Sequence, residues 1–332
     1  MKTVHKNVPV FIPHLGCPNN CVFCDQHNIT MAKFDEADAK RVIDHMIKTL
    51  HAGADSEIAF FGGSFTGIDR DLMTRLLKLG RSYIEAGAVS ALRCSTRPDY
   101  IDGEIIEILK EYGVKTVELG IQSTDDKVLE ACKRGHTAKQ SFEAMEMLKE
   151  NGFSLIGQMM TGLPEATRGS EVQTAEDICR YADGARIYPI VVFKQTELCN
   201  MIYHHQYKVI PSEELISRTA DVKEVFIRHN VPTIRIGLQS NVRMMEEFDA
   251  VYGGTYDEAV GEKCESEIYY RRLKKLLEGK TGAVTVKVPY GDVSKAVGHK
   301  KINKERLLEE TEITSIKFIE GDVPPYTAET VG

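Results

Sequence analysis

From residue 8 to about 193, short β-rich runs alternate with longer segments of helical period. A parallel sheet with helical crossovers satisfies that pattern; an all-α or all-β fold does not. Strands are expected at residues 8–13, 57–61, 91–95, 116–120, 155–160 and 186–192. Helices are expected at 35–50, 69–85, 103–112, 138–151 and 170–182, where apolar residues recur at spacings of three and four. Gly87, Gly113 and Gly152 stand where three of these helices should stop. Six such units predict an α/β fold, a partial (β/α)6 barrel with a wide mouth, with an open sheet as the alternative.

The rest of the chain reads differently. A further helix at 212–229 and strand at 233–238 precede a Gly-rich, irregular stretch around 252–261. A helix at 265–278 then leads to a small tail with strand, helix, helix and strand at 283–288, 292–297, 304–310 and 314–319. The expected division is a barrel over 1–240, a connector completing the mouth of the site over 241–280, and a small basic α+β module over 281–332. No run approaches the ~18 apolar residues of a membrane span, and MKTVHKNVPV lacks the apolar run of a signal peptide. The expectation is a cytoplasmic protein with no membrane partner. A formal net charge of −7 gives no global attraction to nucleic acid, so any such contact must be a local basic patch.

The residues that carry chemistry fall just after the expected strands, on the rim where parallel α/β folds hold their sites. Eight cysteines in such a chain suggest metal or catalytic roles rather than a disulfide framework. Cys17, Cys21 and Cys24 follow the first strand with C-x3-C-x2-C spacing, while Cys94, Cys132, Cys179, Cys199 and Cys264 are scattered and read as small buried hydrophobes. Three thiolates on one short loop can wrap a cluster corner and leave one iron open. The alternative is structural zinc, with His14 or His27 as fourth ligand.

The cysteine spacing, with aromatic Phe23 before the last cysteine, resembles the signature of the radical S-adenosylmethionine (SAM) superfamily. That resemblance implies a radical SAM partial barrel with a 4Fe-4S cluster on Cys17, Cys21 and Cys24, and SAM as the second cofactor. In that family one electron, from a reductant such as flavodoxin or ferredoxin, breaks a sulfur–carbon bond of SAM and yields a 5′-deoxyadenosyl radical. The resemblance extends to Gly62, Gly63 and Ser64, where the family has Gly-Gly-Glu and Ser64 replaces the Glu. It continues through Ser95 and Arg97 after the third strand, Gln122 and Ser123 after the fourth, and Arg134, whose fork suits a carboxylate. Met160, Gly162 and residues 187–191 would wall the adenine. Tyr100, Tyr188, Tyr256 and His136 are possible hydrogen relays, and none is assigned as catalytic.

The stretches STRPDYI, VELGIQSTDDKVLEACKRGHT, GQMMTGLPEAT, ARIYPIVV and TIRIGLQ resemble the radical domain of the Elongator catalytic subunit and its bacterial relatives. These are close to oxygen-independent coproporphyrinogen oxidase-like proteins. The Elongator enzyme modifies wobble uridine in tRNA and carries an acetyltransferase domain, for which these 332 residues leave no room, so the acetyl-dependent reaction is not carried over. The family's Gly-x-Tyr-His-Pro-type motif is also replaced, by Gly254-Thr-Tyr256-Asp257-Glu258. The tail looks like the βααβ half of a KH RNA-binding module, with Gly298-His299-Lys300-Lys301 in place of the G-x-x-G loop and Lys295, Lys300, Lys301 and Lys304 as counter-charge for phosphate. The expectation is therefore a radical SAM enzyme acting on RNA, tRNA in particular. Two alternatives are a small-molecule or tetrapyrrole substrate, and a non-catalytic RNA-binding protein with a structural metal site.

Overall fold

The computed structural model describes residues 6–12, 15–17, 19–24, 34–49, 55–238 and 251–331. His14 and His27, the ligands that a zinc site would recruit, lie outside the described residues. Strands β1 (Lys6–Ile12), β2 (Ser56–Gly62), β3 (Ala91–Thr96), β4 (Val114–Gln122), β5 (Ser154–Thr161) and β6 (Gly184–Pro189) lie side by side in sequence order, all parallel. Parallel neighbours need a crossover, and the helices α1 (Glu36–Ile47), α2 (Arg70–Glu85), α3 (Gly103–Glu111), α4 (Asp126–Ala131), α5 (Ala138–Glu150) and α6 (Arg168–Cys179) supply it. Asp35, Asp69 and Asp102 cap three of them, and Thr137 with Gln140 forms a capping box on α5. Gly87, Gly113 and Gly152 all adopt positive φ just past a helix end, as expected.

Alternate strand residues face the helices and form the main core: Val8, Val10 and Ile12, then Ile58 and Phe60, Leu92 and Cys94, and Val117, Leu119 and Ile121. The other face has a polar belt. It carries Glu57, Arg93, Glu118, Gln158 and Arg186, joined by Arg93 Nε to Glu57 (2.7 Å), Arg93 Nη1 to Glu118 (2.8 Å), Gln158 Nε2 to Glu118 (2.7 Å) and Arg186 Nη2 to Glu118 (3.0 Å). The Arg186 guanidinium of β6 lies 5.8 Å from the centre of the Phe61 ring of β2. A flat sheet would hold strands four places apart at about 19 Å. The sheet is therefore curled into a half-barrel with this face inside.

The six expected units are extended by a seventh strand. After α7 (Glu197–Tyr203) and α8 (Ser212–Arg228), β8 (Thr233–Ile236) joins the same sheet beside β6. The strand expected over 186–192 is two: the backbone breaks at Ile190, and β7 (Val191–Phe193) pairs antiparallel with β9 (Val251–Gly254). Helix α9 (Val260–Leu277) packs on α8 and lends Tyr269, Tyr270, Leu273 and Leu277 to a second buried cluster. The other members of that cluster come from β10 (Gly282–Pro289), α10 (Val293–Val297), α11 (Ile302–Glu310) and β11 (Ile313–Gly321). This is the expected strand–helix–helix–strand order. β10 pairs parallel with β11 and antiparallel with a short added strand, β12 (Glu329–Val331).

Candidate active site

The cysteine loop is seated by backbone packed on backbone. A Cβ on Gly16 (φ 77°) would stand 2.1 Å from the Ser64 carbonyl oxygen, one on Gly62 2.4 Å from that of Ile12, and one on Gly63 2.2 Å from that of Leu15. None of these three positions accepts a side chain, and the Gly63 amide donates to the Ile12 carbonyl at 2.9 Å. This contact delivers Cys17 beside Ser64, whose amide donates to its sulfur. Farther along, the Cys24 amide donates to the Cys21 carbonyl (2.9 Å), the Val22 amide to Cys132 (3.2 Å) and the Leu198 amide to Val22 (2.8 Å). Val22 is buried with Val128, Leu163, Ile190 and Leu198, and Phe23 packs at the edge of that cluster, which anchors the loop to the far side of the barrel.

Arg134 ties the loop to the fourth strand. It donates from Nη1 to Cys21 Sγ at 3.3 Å and from Nη2 to the Gly120 carbonyl at 2.7 Å. Its own carbonyl accepts from Arg97 Nη2 and from Asn19 Nδ2 at 3.1 Å. Arg97 forks onto Asp99 with two bonds of 2.9 Å. Both guanidinium groups are thus engaged within the protein, and the open fork expected of Arg134 is spent on Cys21 and Gly120. Ser64 is buried, its hydroxyl sharing a hydrogen bond with Thr96 (2.9 Å) and accepting the Arg97 amide (3.2 Å). Ser95 faces the lumen opposite Glu118.

At Gln122 a bulge with φ 67° re-aims the side chain, whose Oε1 is buried without a partner, as is Arg134 Nε. The Gly162 amide donates to Glu171 Oε1 (2.6 Å), and its carbonyl accepts the Tyr207 hydroxyl (2.6 Å). Arg218 holds Glu171 with bonds of 2.8 and 2.6 Å. Met160 and Tyr188 sit opposite each other in register, partly exposed inside the barrel. Ile187, expected in the adenine wall, instead packs in the helix-facing core. Asn19, Glu171, Arg218 and Tyr207 were not legible as site residues, because Asn19, Glu171 and Tyr207 act through main-chain atoms of distant residues and Arg218 acts through the Glu171 carboxylate. The inward charges Glu57, Arg93, Glu118 and Arg186 had a signal that went unused: charged residues inside apolar strands.

Burial raises the Cys17 thiol above its usual range, while the Ser64 amide and the positive charges of Arg97 and Arg134 act the other way. Burial, with Arg134 and Arg97 nearby, pushes His136 down to about 3, so the ring is neutral at physiological pH. Cys94, Cys132, Cys179 and Cys264 are all pushed up to about 12, chiefly by burial, which makes them inert packing residues.

Among the described residues no group of three or more His, Cys, Asp or Glu side chains is placed to hold a metal ion. The chemistry of the donors is that of an iron–sulfur site: three thiols on one loop, with the Ser64 amide and two guanidinium groups to offset negative charge. The unpartnered Gln122 Oε1 and Arg134 Nε leave polar atoms for a ligand beside it.

Comparison with known proteins agrees with this site. The family model "Radical SAM superfamily" matches residues 11–178, and the "Radical_SAM C-terminal domain" matches 182–269. The chain is 27% identical over 254 residues to an uncharacterized protein of Methanocaldococcus jannaschii, covering 72% of this chain and 76% of that one. It is 28% identical over 207 residues to the tRNA uridine(34) acetyltransferase of the same organism, covering 56% of this chain but only 38% of the relative. The structure of the archaeal Methanocaldococcus infernus Elp3 superposes with a TM-score of 0.64 at 24% identity, over 82% of this chain and 63% of that one, a likeness of fold. Among the described residues no helix is long and apolar enough to cross a membrane. The chain belongs to the radical SAM superfamily, and is an enzyme that uses a 4Fe-4S cluster and SAM.

Proposed function

We propose that this radical SAM enzyme modifies RNA, with Cys17, Cys21 and Cys24 as the cluster ligands. When bound, the cluster and SAM supply a hydrogen-abstracting radical. The chain's own residues seat and shield that chemistry. Arg134 and the Ser64 amide offset charge at the sulfurs, Gln122 offers an unpartnered acyl oxygen, and the backbone at Gly62, Gly63 and Gly162 forms close-packed walls. A flavodoxin- or ferredoxin-type reductant would provide the electron.

The observation that carries the RNA reading is the turn between α10 and α11. Gly298 has φ 81°, and Lys300 and Lys301 follow in left-handed geometry with their side chains exposed. Two consecutive non-glycine residues held there are costly, and Asn303 holds the turn by donating to the carbonyls of Ser266 (2.8 Å) and Ala296 (3.3 Å). Lys304 lies in the first turn of the next helix, partly exposed. Lys295 leaves the proposed surface, because it pairs with Glu265 at 2.9 Å and Asp292 at 2.8 Å. The barrel of 1–240 and the module of 281–332 would then hold the RNA between them. Similarity to tRNA-acting relatives supports this reading without extending to acetyl transfer, since the chain spans 38% of that relative.

The test is anaerobic. Protein reconstituted with iron and sulfide, reduced and given SAM should form 5′-deoxyadenosine, and Cys21→Ala should not. Wild type should bind bulk tRNA in a salt-dependent way, and a Lys300→Glu, Lys301→Glu variant should bind it less. Equal binding by both would overturn the RNA assignment.

A further inference from the structure

The inner face of the half-barrel also carries aromatic surface from residues that have been given no part in holding the cluster or SAM. Because Val8, Val10 and Ile12 of β1 face the helices, Phe11 points into the lumen. It is 48% exposed, five residues before Gly16, which seats the cysteine loop. Its register partner on β2 is Phe61, partly exposed on the same face and next to Gly62. The Arg186 guanidinium lies 5.8 Å from the centre of the Phe61 ring, with Gln158 beside it in register. A single exposed Phe needs no explanation; two neighbours in register at the rim of an active site do.

The charges around them narrow the ligand. Arg186 is neutralised by Glu118, and the belt beside the rings sets Glu57 and Glu118 against Arg93 and Arg186. A further inward cation, Arg235 of β8, lies one strand beyond Arg186 in register and donates to the Gly237 carbonyl at 2.9 Å, so the charge next to the two rings is balanced. Flat aromatic faces and a side-chain amide suit a neutral planar ring with hydrogen-bonding edges.

We infer that Phe11 and Phe61 form a stacking platform for one unpaired base of the RNA substrate, with Gln158 and Arg186 along its edge. The inference rests on the RNA reading and adds where the reacting nucleotide enters: beside β1, the end strand of the sheet among the described residues. The Gly298–Lys301 turn holds backbone, and the platform holds the base.

The experiment uses the cluster-loaded enzyme under anaerobic conditions with bulk tRNA containing 4-thiouridine, in wild type, Phe11→Ala and Phe11→Trp. Irradiation should cross-link RNA to the peptide containing Phe11. Phe11→Ala should weaken tRNA binding about tenfold, the size of one base–aromatic stack, and Phe11→Trp should restore it. A cross-link confined to the Lys300–Lys301 peptide, with wild-type affinity in Phe11→Ala, overturns the platform and leaves the RNA reading standing. If the wild type retains no RNA, both are overturned.

Discussion

Removing a single inward charge should cost this protein much of its stability. Glu118 is 1% exposed and accepts from Arg93 (2.8 Å), Arg186 (3.0 Å) and Gln158 (2.7 Å), so Glu118→Gln leaves two guanidinium groups facing one remaining carboxylate, Glu57. Breaking a buried ion pair from one side costs about 3–5 kcal/mol. At ~2–4 °C per kcal/mol for a domain of this size, the melting temperature should fall by about 6–20 °C. The control is Glu118→Leu with Arg186→Met, which removes one charge of each sign and keeps the Glu57–Arg93 pair. Charge-balanced replacement of a buried pair is often close to neutral, so the double variant should be more stable than Glu118→Gln. Thermal melts followed by circular dichroism under anaerobic conditions read both. A loss below ~1 kcal/mol in Glu118→Gln, or a double variant less stable than the single, would refute the view that charge balance governs this belt.

Gly16→Ala should lower the iron retained per chain after reconstitution, because its Cβ would meet the Ser64 carbonyl at 2.1 Å and displace Cys17; retention equal to wild type would show that the backbone contact is dispensable. Gly298→Ala, with a Cβ 2.9 Å from the Asn303 amide nitrogen, should cost about 1–3 kcal/mol in urea unfolding and weaken tRNA binding by distorting the lysine turn. In the double Lys300→Glu, Lys301→Glu variant, the slope of log affinity against log salt should flatten by ~1–2, as expected for losing two phosphate contacts. Burial alone would raise the Glu265 carboxyl, but Lys223 and Lys295 outweigh it and hold it below its ordinary value of 4.5. Its contribution is therefore complete above that pH and is lost as pH falls through the depressed value. Urea midpoints of wild type and Glu265→Gln should differ near neutrality and converge once the pH falls below the depressed value.

Much of the barrel was legible because burial on one face and periodicity on the helices are local patterns. Expected strands such as 57–61 and 91–95 lie within Ser56–Gly62 and Ala91–Thr96, and Gly113 and Gly152 ended helices as their backbone freedom predicts. The break at Ile190 was not legible, since residues 186–192 read as one strand and the turn is fixed by partners far away in sequence, the Thr161 carbonyl accepting the Ile190 amide and the Thr255 amide donating to the Ile190 carbonyl. The seventh strand was visible as a strand, but its place beside β6 depends on pairing across 44 residues from Pro189 to Thr233. Helices α4 and α7 are too short to show a period.

For the site, the sequence by itself determined the chemistry: three cysteines at C-x3-C-x2-C spacing, with glycines and polar residues just after strands, are a local arrangement of reactive groups. The tertiary structure alone decided which partners those groups meet. Arg134 lies 113 residues from the Cys21 sulfur it touches, and Lys295, part of an evident basic run, lies close to the carboxylate of Glu265 on another helix. Charge is a property of a residue, but whether that charge is free depends on what the fold places within about 3 Å of it.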